Sequence, residues 1–172
     1  MMDGYVQVYT GNGKGKTTAA VGLALRAAGN GLNVFIAQFV KSERYGEIAA
    51  LERHADRVTC RQYGSGCWLR EQPGEEDVRM ARDGLQAVRR VLRAGRHAVV
   101  ILDEANIATH FNLLSVEDLL ELVDIRPRHV ELVFTGRCAD PRLIERADLV
   151  TEMREVKHYY RKGVPARKGI ES

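Results

Sequence analysis

The sequence predicts an α/β protein: a mainly parallel central sheet with helices on both faces. Three observations carry that expectation. Short apolar runs alternate five or six times with longer amphipathic stretches, an order that suits a parallel sheet with right-handed crossovers. Residues 98–102 are apolar throughout, as in a strand covered on both faces. Glycine-rich and acidic clusters follow the strand-like runs, at the carboxyl edge where such sheets collect ligands.

Residues 5–9 read as the first strand. Residues 16–28, rich in Ala and Leu, read as a helix stopped by Gly29-Asn30-Gly31. A largely apolar second strand spans 33–40, a short helix 47–54 and a third strand 58–63. Gly64-Ser65-Gly66 then opens an irregular segment lasting to about Gly74. Residues 75–94 form a long amphipathic helix with apolar positions at Val78, Ala81, Leu85, Val88 and Leu92, ended by Gly95. The 98–102 strand is expected at the centre of the sheet. Ser115, with Asp118 three residues on, resembles a capping box; its helix runs to Asp124 and stops ahead of Pro127. Residues 130–134 make another strand, Asp140-Pro141 opens a short helix, and 149–153 form the last strand. From Glu155 the chain is polar, carries Gly163, Pro165 and Gly169, and reads as a tail. No linker or repeat divides it, so residues 1–172 read as one domain.

Composition narrows the function classes. A chain of 172 residues buries roughly 70% of its unfolded surface, enough for one layered core. With 45% hydrophobic residues and a net charge of +3, disorder is excluded. That charge is also too small for a nucleic-acid partner, which needs a clustered basic face; a local anion site explains the excess better. Cys60, Cys67 and Cys138 form no CxxC pair, which argues against a disulfide framework or a structural zinc site and for a reducing compartment. The five histidines show no metal-ligand spacing. No apolar run approaches the roughly 20 residues of a membrane span, and the first residues lack the pattern of a secretory signal. No membrane partner and a cytoplasmic location are therefore expected.

The chemistry-bearing segment is Thr10-Gly11-Asn12-Gly13-Lys14-Gly15-Lys16-Thr17-Thr18, between the first strand and the first helix. Its end matches the last positions of the phosphate-binding pattern GxxxxGK[ST]. Small residues let successive backbone N–H groups turn toward phosphate oxygens, and the helix N-terminus adds its positive end. Lys16 supplies a mobile charge, and the Thr17 hydroxyl can ligate Mg²⁺. The pattern expects Gly where Thr10 stands. The glycine has moved to Gly11, so the loop is effectively shorter, and it holds a second lysine, Lys14.

The strand ending in Asp103-Glu104 brings carboxylates to the same edge, where one commonly holds a divalent cation beside such a loop. The sequence leaves open which of the two faces the metal. Arg137, in Thr135-Gly136-Arg137, follows the 130–134 strand and should emerge at that edge too. Arg26 lies about three turns along the first helix, where a nucleotide contact and a solvated face are both consistent with the pattern. Trp68, the only tryptophan, sits in the Gly64–Gly74 segment, where contact with a flat ligand and core packing both fit.

Several segments together resemble the ATP:corrinoid adenosyltransferases. They are the 10–18 loop, Gln38-Phe39-Val40-Lys41, Ile101-Leu102-Asp103-Glu104, Thr135-Gly136-Arg137, the run from Ala147 to Arg154, Val156-Lys157-His158 and Lys168-Gly169-Ile170-Glu171. The resemblance implies a RecA-like P-loop domain, usually dimeric. It implies transfer of the 5′-deoxyadenosyl group of ATP to the cobalt of a reduced corrinoid, with release of triphosphate. In that family ATP lies in the loop in reverse sense, leaving C5′ open to the corrinoid. Carried over by position, Gly11, Asn12, Gly13, Lys14, Gly15, Lys16, Thr17 and Thr18 hold the triphosphate, with Arg26 and Arg137 on the nucleotide. Lys16, Lys14 and Arg137 are the groups expected to act in catalysis. Thr17 and Glu104, with Asp103 beside them, take Mg²⁺ or Mn²⁺, and a flavoprotein is the implied reductant.

Family members use aromatic side chains after the third strand to displace the lower ligand of cobalt. Here Cys67 and Leu69 stand where many relatives have Phe and Trp, and a one-residue shift brings Trp68 to that role. Cys67, Trp68 and Leu69 are thus the expected corrinoid loop. An ordinary P-loop ATPase or small-molecule kinase is the main rival, and a non-catalytic nucleotide-binding regulator the second. A generic ATPase would not be expected to share the C-terminal segments.

Overall fold

The computed structural model describes residues 3–43, 45–66 and 73–171. Cys67, Trp68 and Leu69, expected to face the corrinoid, lie outside the described residues. The strands are β1 (Val6–Thr10), β2 (Val34–Phe39), β3 (Val58–Tyr63), β4 (Val99–Asp103), β5 (Glu131–Thr135) and β6 (Leu149–Glu152). They form one sheet in the order β3-β2-β4-β5-β1-β6, and every pairing is parallel. The helices are α1 (Lys16–Gly29), α2 (Gly46–Glu52), α3 (Glu75–Ala94), α4 (Ala105–His110), α5 (Val116–Ile125) and α6 (Pro141–Arg146).

Alternation along the strands builds two cores. Phe35, Ala37 and Phe39 of β2, with Val100, Leu102, Leu132 and Phe134, face α3, α5 and α6 through Leu85, Leu92, Leu119, Leu122 and Leu143. Val34 and Ile36, with Val99, Ile101 and Val133, face the other way, onto Ala20, Ala24 and Ala27 of α1. Small side chains at the buried contact positions Ala20, Ala24 and Ala27 let α1 lie close against the sheet. That matters because α1 carries the Lys16-Thr17-Thr18 end of the loop, and a close helix holds its N-terminus over the strand ends.

β4 lies in the middle of the sheet, as expected, with β5 beside it. Ser115 caps α5 as its spacing implies: its hydroxyl accepts from the Asp118 N–H at 3.1 Å, and Asp118 accepts from the Ser115 N–H at 3.0 Å. Two elements carried no sequence expectation. α4 is only six residues long and has no side-chain cap, too little for periodicity to register. The polar tail holds a 3₁₀ turn, Tyr159–Lys162, and folds back over the loop after β1. Among the described residues, no helix is long and apolar enough to cross a membrane.

Candidate active site

The loop between β1 and α1 starts one residue later than the motif expects because Thr10 is still part of the sheet. Thr10 pairs in register with Glu152 of β6, and its hydroxyl accepts from the Ala139 N–H at 3.4 Å. The turn begins at Gly11, whose φ of 96° suits glycine. The loop's outer face packs against the chain leaving β6. A Cβ on Gly11 would stand 2.5 Å from the Met153 carbonyl oxygen, and one on Gly13 would stand 2.6 Å from it. The Gly13 N–H donates to that same oxygen at 2.6 Å. The glycines therefore answer to the C-terminal segment as well as to a phosphate. Gly13→Ala is expected to cost about 1–3 kcal/mol of stability by forcing the loop off Met153. A thermal melt of the variant checks it; a wild-type melting temperature would count against the contact.

α1 starts at Lys16 behind Gly15, with no side chain capping its first turn, so the helix end is free for an anion. Lys16 lies over the loop: its Nζ donates to the carbonyls of Gly11 and Gly13, each at 2.7 Å. The residue is 7% exposed. Burial pulls its pKa below the usual lysine value, while Glu104 and Asp103 pull it back up and Arg137 adds to the fall. The ammonium waits at the centre of the cradle on carbonyl partners that a phosphate can replace.

Asp103 ends β4 and is 1% exposed. Its Oδ1 accepts from the hydroxyls of Thr17 at 2.9 Å and Thr135 at 2.6 Å. Its Oδ2 accepts from Gln38 Nε2 at 3.0 Å and Lys41 Nζ at 2.9 Å. Both oxygens are thus satisfied within the protein. Glu104, the next residue, has φ 60° and turns the chain out of the strand, its N–H donating to Thr135 Oγ1 at 3.0 Å. No hydrogen bond engages its carboxylate among the described residues. Burial and then Asp103 push the Glu104 pKa up, against the opposing fields of Lys41, Lys16 and Arg137. The two acids therefore differ in kind. Asp103 orients the Thr17 hydroxyl, and Glu104 offers free oxygens.

Thr17 and Glu104 supply hard oxygen donors of the type Mg²⁺ takes; the Thr17 hydroxyl donates to Asp103 and its oxygen accepts from Lys41 Nζ at 3.2 Å. Among the described residues no three His, Cys, Asp or Glu side chains gather into a metal cage.

Arg137 is exposed just beyond β5, near enough to be felt by both Lys16 and Glu104. Arg26 is exposed on α1, about 15 Å along the helix axis from Lys16; its electrostatic neighbour is the Tyr9 phenol. Asn12 and Thr18 belong to the loop and the first turn of α1. Lys14 leans outward to the tail. Its Nζ donates to the Ile170 carbonyl at 2.8 Å, to Glu171 Oε1 at 3.1 Å and to the Tyr159 hydroxyl at 3.5 Å. Tyr159 also donates to Glu171, and Arg167 holds the Glu171 carboxyl well below the usual range. Beside these contacts is a small cavity lined by Gly13, Lys14, Arg154, Lys157, His158 and Tyr159.

Sequence reasoning gave no role to Gln38, Lys41, Thr135, Tyr159 or Glu171. Gln38 carried a signal: it is a polar residue inside an apolar strand run, and it is fully buried.

A glycine loop closed by its own lysine, feeding a threonine onto a strand-end acid, is the phosphate cradle of the P-loop nucleotide-binding proteins. β5 stands between the loop strand β1 and the acid strand β4, the RecA-like arrangement of that class. The model of the ATP:corrinoid adenosyltransferase family BtuR/CobO/CobP matches residues 2–172, and the chain belongs to that family. The corrinoid adenosyltransferase of Pseudomonas aeruginosa is 37% identical over 169 residues, covering 98% of this chain and 83% of its own. Those of Escherichia coli K12 and Salmonella typhimurium are each 37% identical over 169 residues, 98% of this chain and 85% of theirs.

Proposed function

We propose that this protein transfers the 5′-deoxyadenosyl group of ATP to the Co(I) centre of a corrinoid, in the making or salvage of adenosylcobalamin. The cobalt electron pair forms a bond to C5′ as the C5′–O bond breaks, and that bond's electrons leave on the triphosphate. Co(I) is a strong nucleophile, so the protein need not supply a base. Its task is alignment and the stabilisation of charge on the leaving group. The observation that supports this reading is the meeting of Lys16, Thr17, Glu104 and Arg137 on one sheet edge, from three different strand ends.

Each residue then has one part. The loop amides from Gly11 to Thr18 bind phosphate oxygens, and Lys16 leaves the Gly11 and Gly13 carbonyls for the triphosphate. Arg137 neutralises charge from the open side. Lys14, held by Glu171, keeps a positive charge at the loop's outer rim, and Arg26 contributes to the nucleotide field from α1. Thr17 and Glu104 would hold Mg²⁺ or Mn²⁺, which when bound supplies charge neutralisation on the triphosphate. The corrinoid is proposed to meet Cys67, Trp68 and Leu69, and a flavoprotein to deliver the electron that makes Co(I). A cytoplasmic homodimer completes the proposal; β6 is an edge strand of the sheet, open for a second copy to cover.

The deciding experiment is a product assay with ATP and chemically reduced cobalamin. Adenosylcobalamin and triphosphate are expected, whereas ADP would identify the P-loop ATPase or kinase instead. Glu104→Gln is expected to raise the metal concentration for half-maximal rate about tenfold or more, judged by an Mg²⁺ titration. Its folding stability should stay level or rise, because burial and Asp103 both disfavour the charged Glu104. An unchanged metal requirement would remove Glu104 from the site.

A further inference from the structure

Lys41 stands where the chemistry of the site calls for a different cation. It directly follows Val40, whose φ of 66° lies in the left-handed region that β-branched residues seldom enter. Gly64 closes on the back of this turn: a Cβ there would be 2.5 Å from the Val40 carbonyl carbon and 2.7 Å from the Lys41 nitrogen. The strained turn aims Lys41 along the sheet edge into the site. Its Nζ lies 2.9 Å from Asp103 Oδ2 and 3.2 Å from Thr17 Oγ1, with only 19% of the side chain exposed. Gln38 braces the same Asp103 oxygen and is itself held by Gln62 Nε2 at 3.2 Å.

We propose that Lys41 is a tethered cation that fills the metal side of the site when no nucleotide is bound, so that a divalent ion enters only together with phosphate. The proposal rests on the reading of Thr17 and Glu104 as the metal-holding pair. A buried carboxylate needs a counter-charge, and Lys41 supplies one to Asp103. Its ammonium also takes up the Thr17 oxygen that a metal would use. A divalent ion arriving alone would meet that ammonium at close range in a poorly solvated place, where like charges repel strongly. Once phosphates are in the loop their negative charge holds both cations, and Lys41 gives up Thr17 while keeping Asp103 or turning to a phosphate oxygen. Metal binding thereby becomes conditional on nucleotide, and free metal does not occupy the loop ahead of ATP.

The test is Mn²⁺ uptake followed by electron paramagnetic resonance, so it needs no turnover. Nucleotide-free wild-type protein is expected to leave Mn²⁺ unbound until inorganic triphosphate is added. Lys41→Met, similar in length but uncharged, should bind one Mn²⁺ at least about tenfold more tightly without triphosphate. Adding Thr17→Val to that variant should erase the gain. Equal or weaker Mn²⁺ uptake by Lys41→Met overturns the proposal. So does saturable uptake by the nucleotide-free wild-type chain at Thr17, an outcome that stands even if the variant fails to fold. Thr17→Val and Glu104→Gln, measured in the presence of triphosphate, test the metal pair separately. If neither lowers Mn²⁺ uptake the pair itself is wrong; if both do while Lys41→Met gains nothing, the role of Lys41 alone fails.

Discussion

Lys16→Ala is expected to lower kcat/KM for adenosyl transfer by about a hundredfold to a thousandfold, the usual range for loss of one preorganised donor to a developing negative charge. Among the described residues Lys16 bonds only to the Gly11 and Gly13 carbonyls, so it is spent on nothing that folding needs elsewhere. Its removal therefore uncovers two loop carbonyls that water can reach, and the fold survives. The loss should appear mainly in kcat, because charge builds on the triphosphate as the C5′–O bond breaks, not when ATP docks. Steady-state kinetics with preformed Co(I) corrinoid and a parallel circular dichroism melt separate the two effects. A folded Lys16→Ala protein with near wild-type kcat would contradict the charge assigned to this side chain.

Asp103→Ala should fail in a different way. Asp103 accepts from Thr17, Thr135, Gln38 and Lys41 in a place with almost no solvent. Its removal leaves the Lys41 ammonium and the Gln38 amide without their buried acceptor. Breaking a buried pair by deleting one partner costs about 3–5 kcal/mol, a large share of the stability of a chain this size. Denaturant unfolding should show that loss, with Glu104→Gln as the contrast that keeps its stability. Equal stabilities for the two variants would mean that Asp103 does not organise the edge.

The parts of this protein that its sequence discloses share one property: their physics is local. The phosphate loop is a continuous stretch whose amides, lysine and threonine are all neighbours in the chain, so the segment 10–18 with a strand before and a helix after was sufficient. The Ser115–Asp118 cap closes within one turn of α5. The alternation of strands and helices, and the two-sided burial of β2 and β4, follow from spacing along single segments.

What remained hidden depends on residues far apart in the chain. Nothing in Asp103-Glu104 distinguishes the two acids. The difference comes from Gln38 in β2, Lys41 just after it, Thr17 in the first turn of α1, and Thr135 at the end of β5, which meet Asp103 and leave the Glu104 carboxylate free. The requirement for glycine at positions 11 and 13 was legible, but half of its cause, the Met153 backbone behind the loop, was not. Lys14 reads as one more charge for the phosphates, yet the tail residues Tyr159 and Glu171 set where it points. The tail itself reads as polar chain because the contacts that seat it on the loop, from Lys14 to Tyr159, Ile170 and Glu171, join residues far apart in the chain. Pattern and turn chemistry determined the class of protein and the identity of the cradle. The tertiary structure alone decided which carboxylate is neutralised, which cation neutralises it and what braces the loop from behind, because charge and desolvation act through space and take no account of separation along the chain.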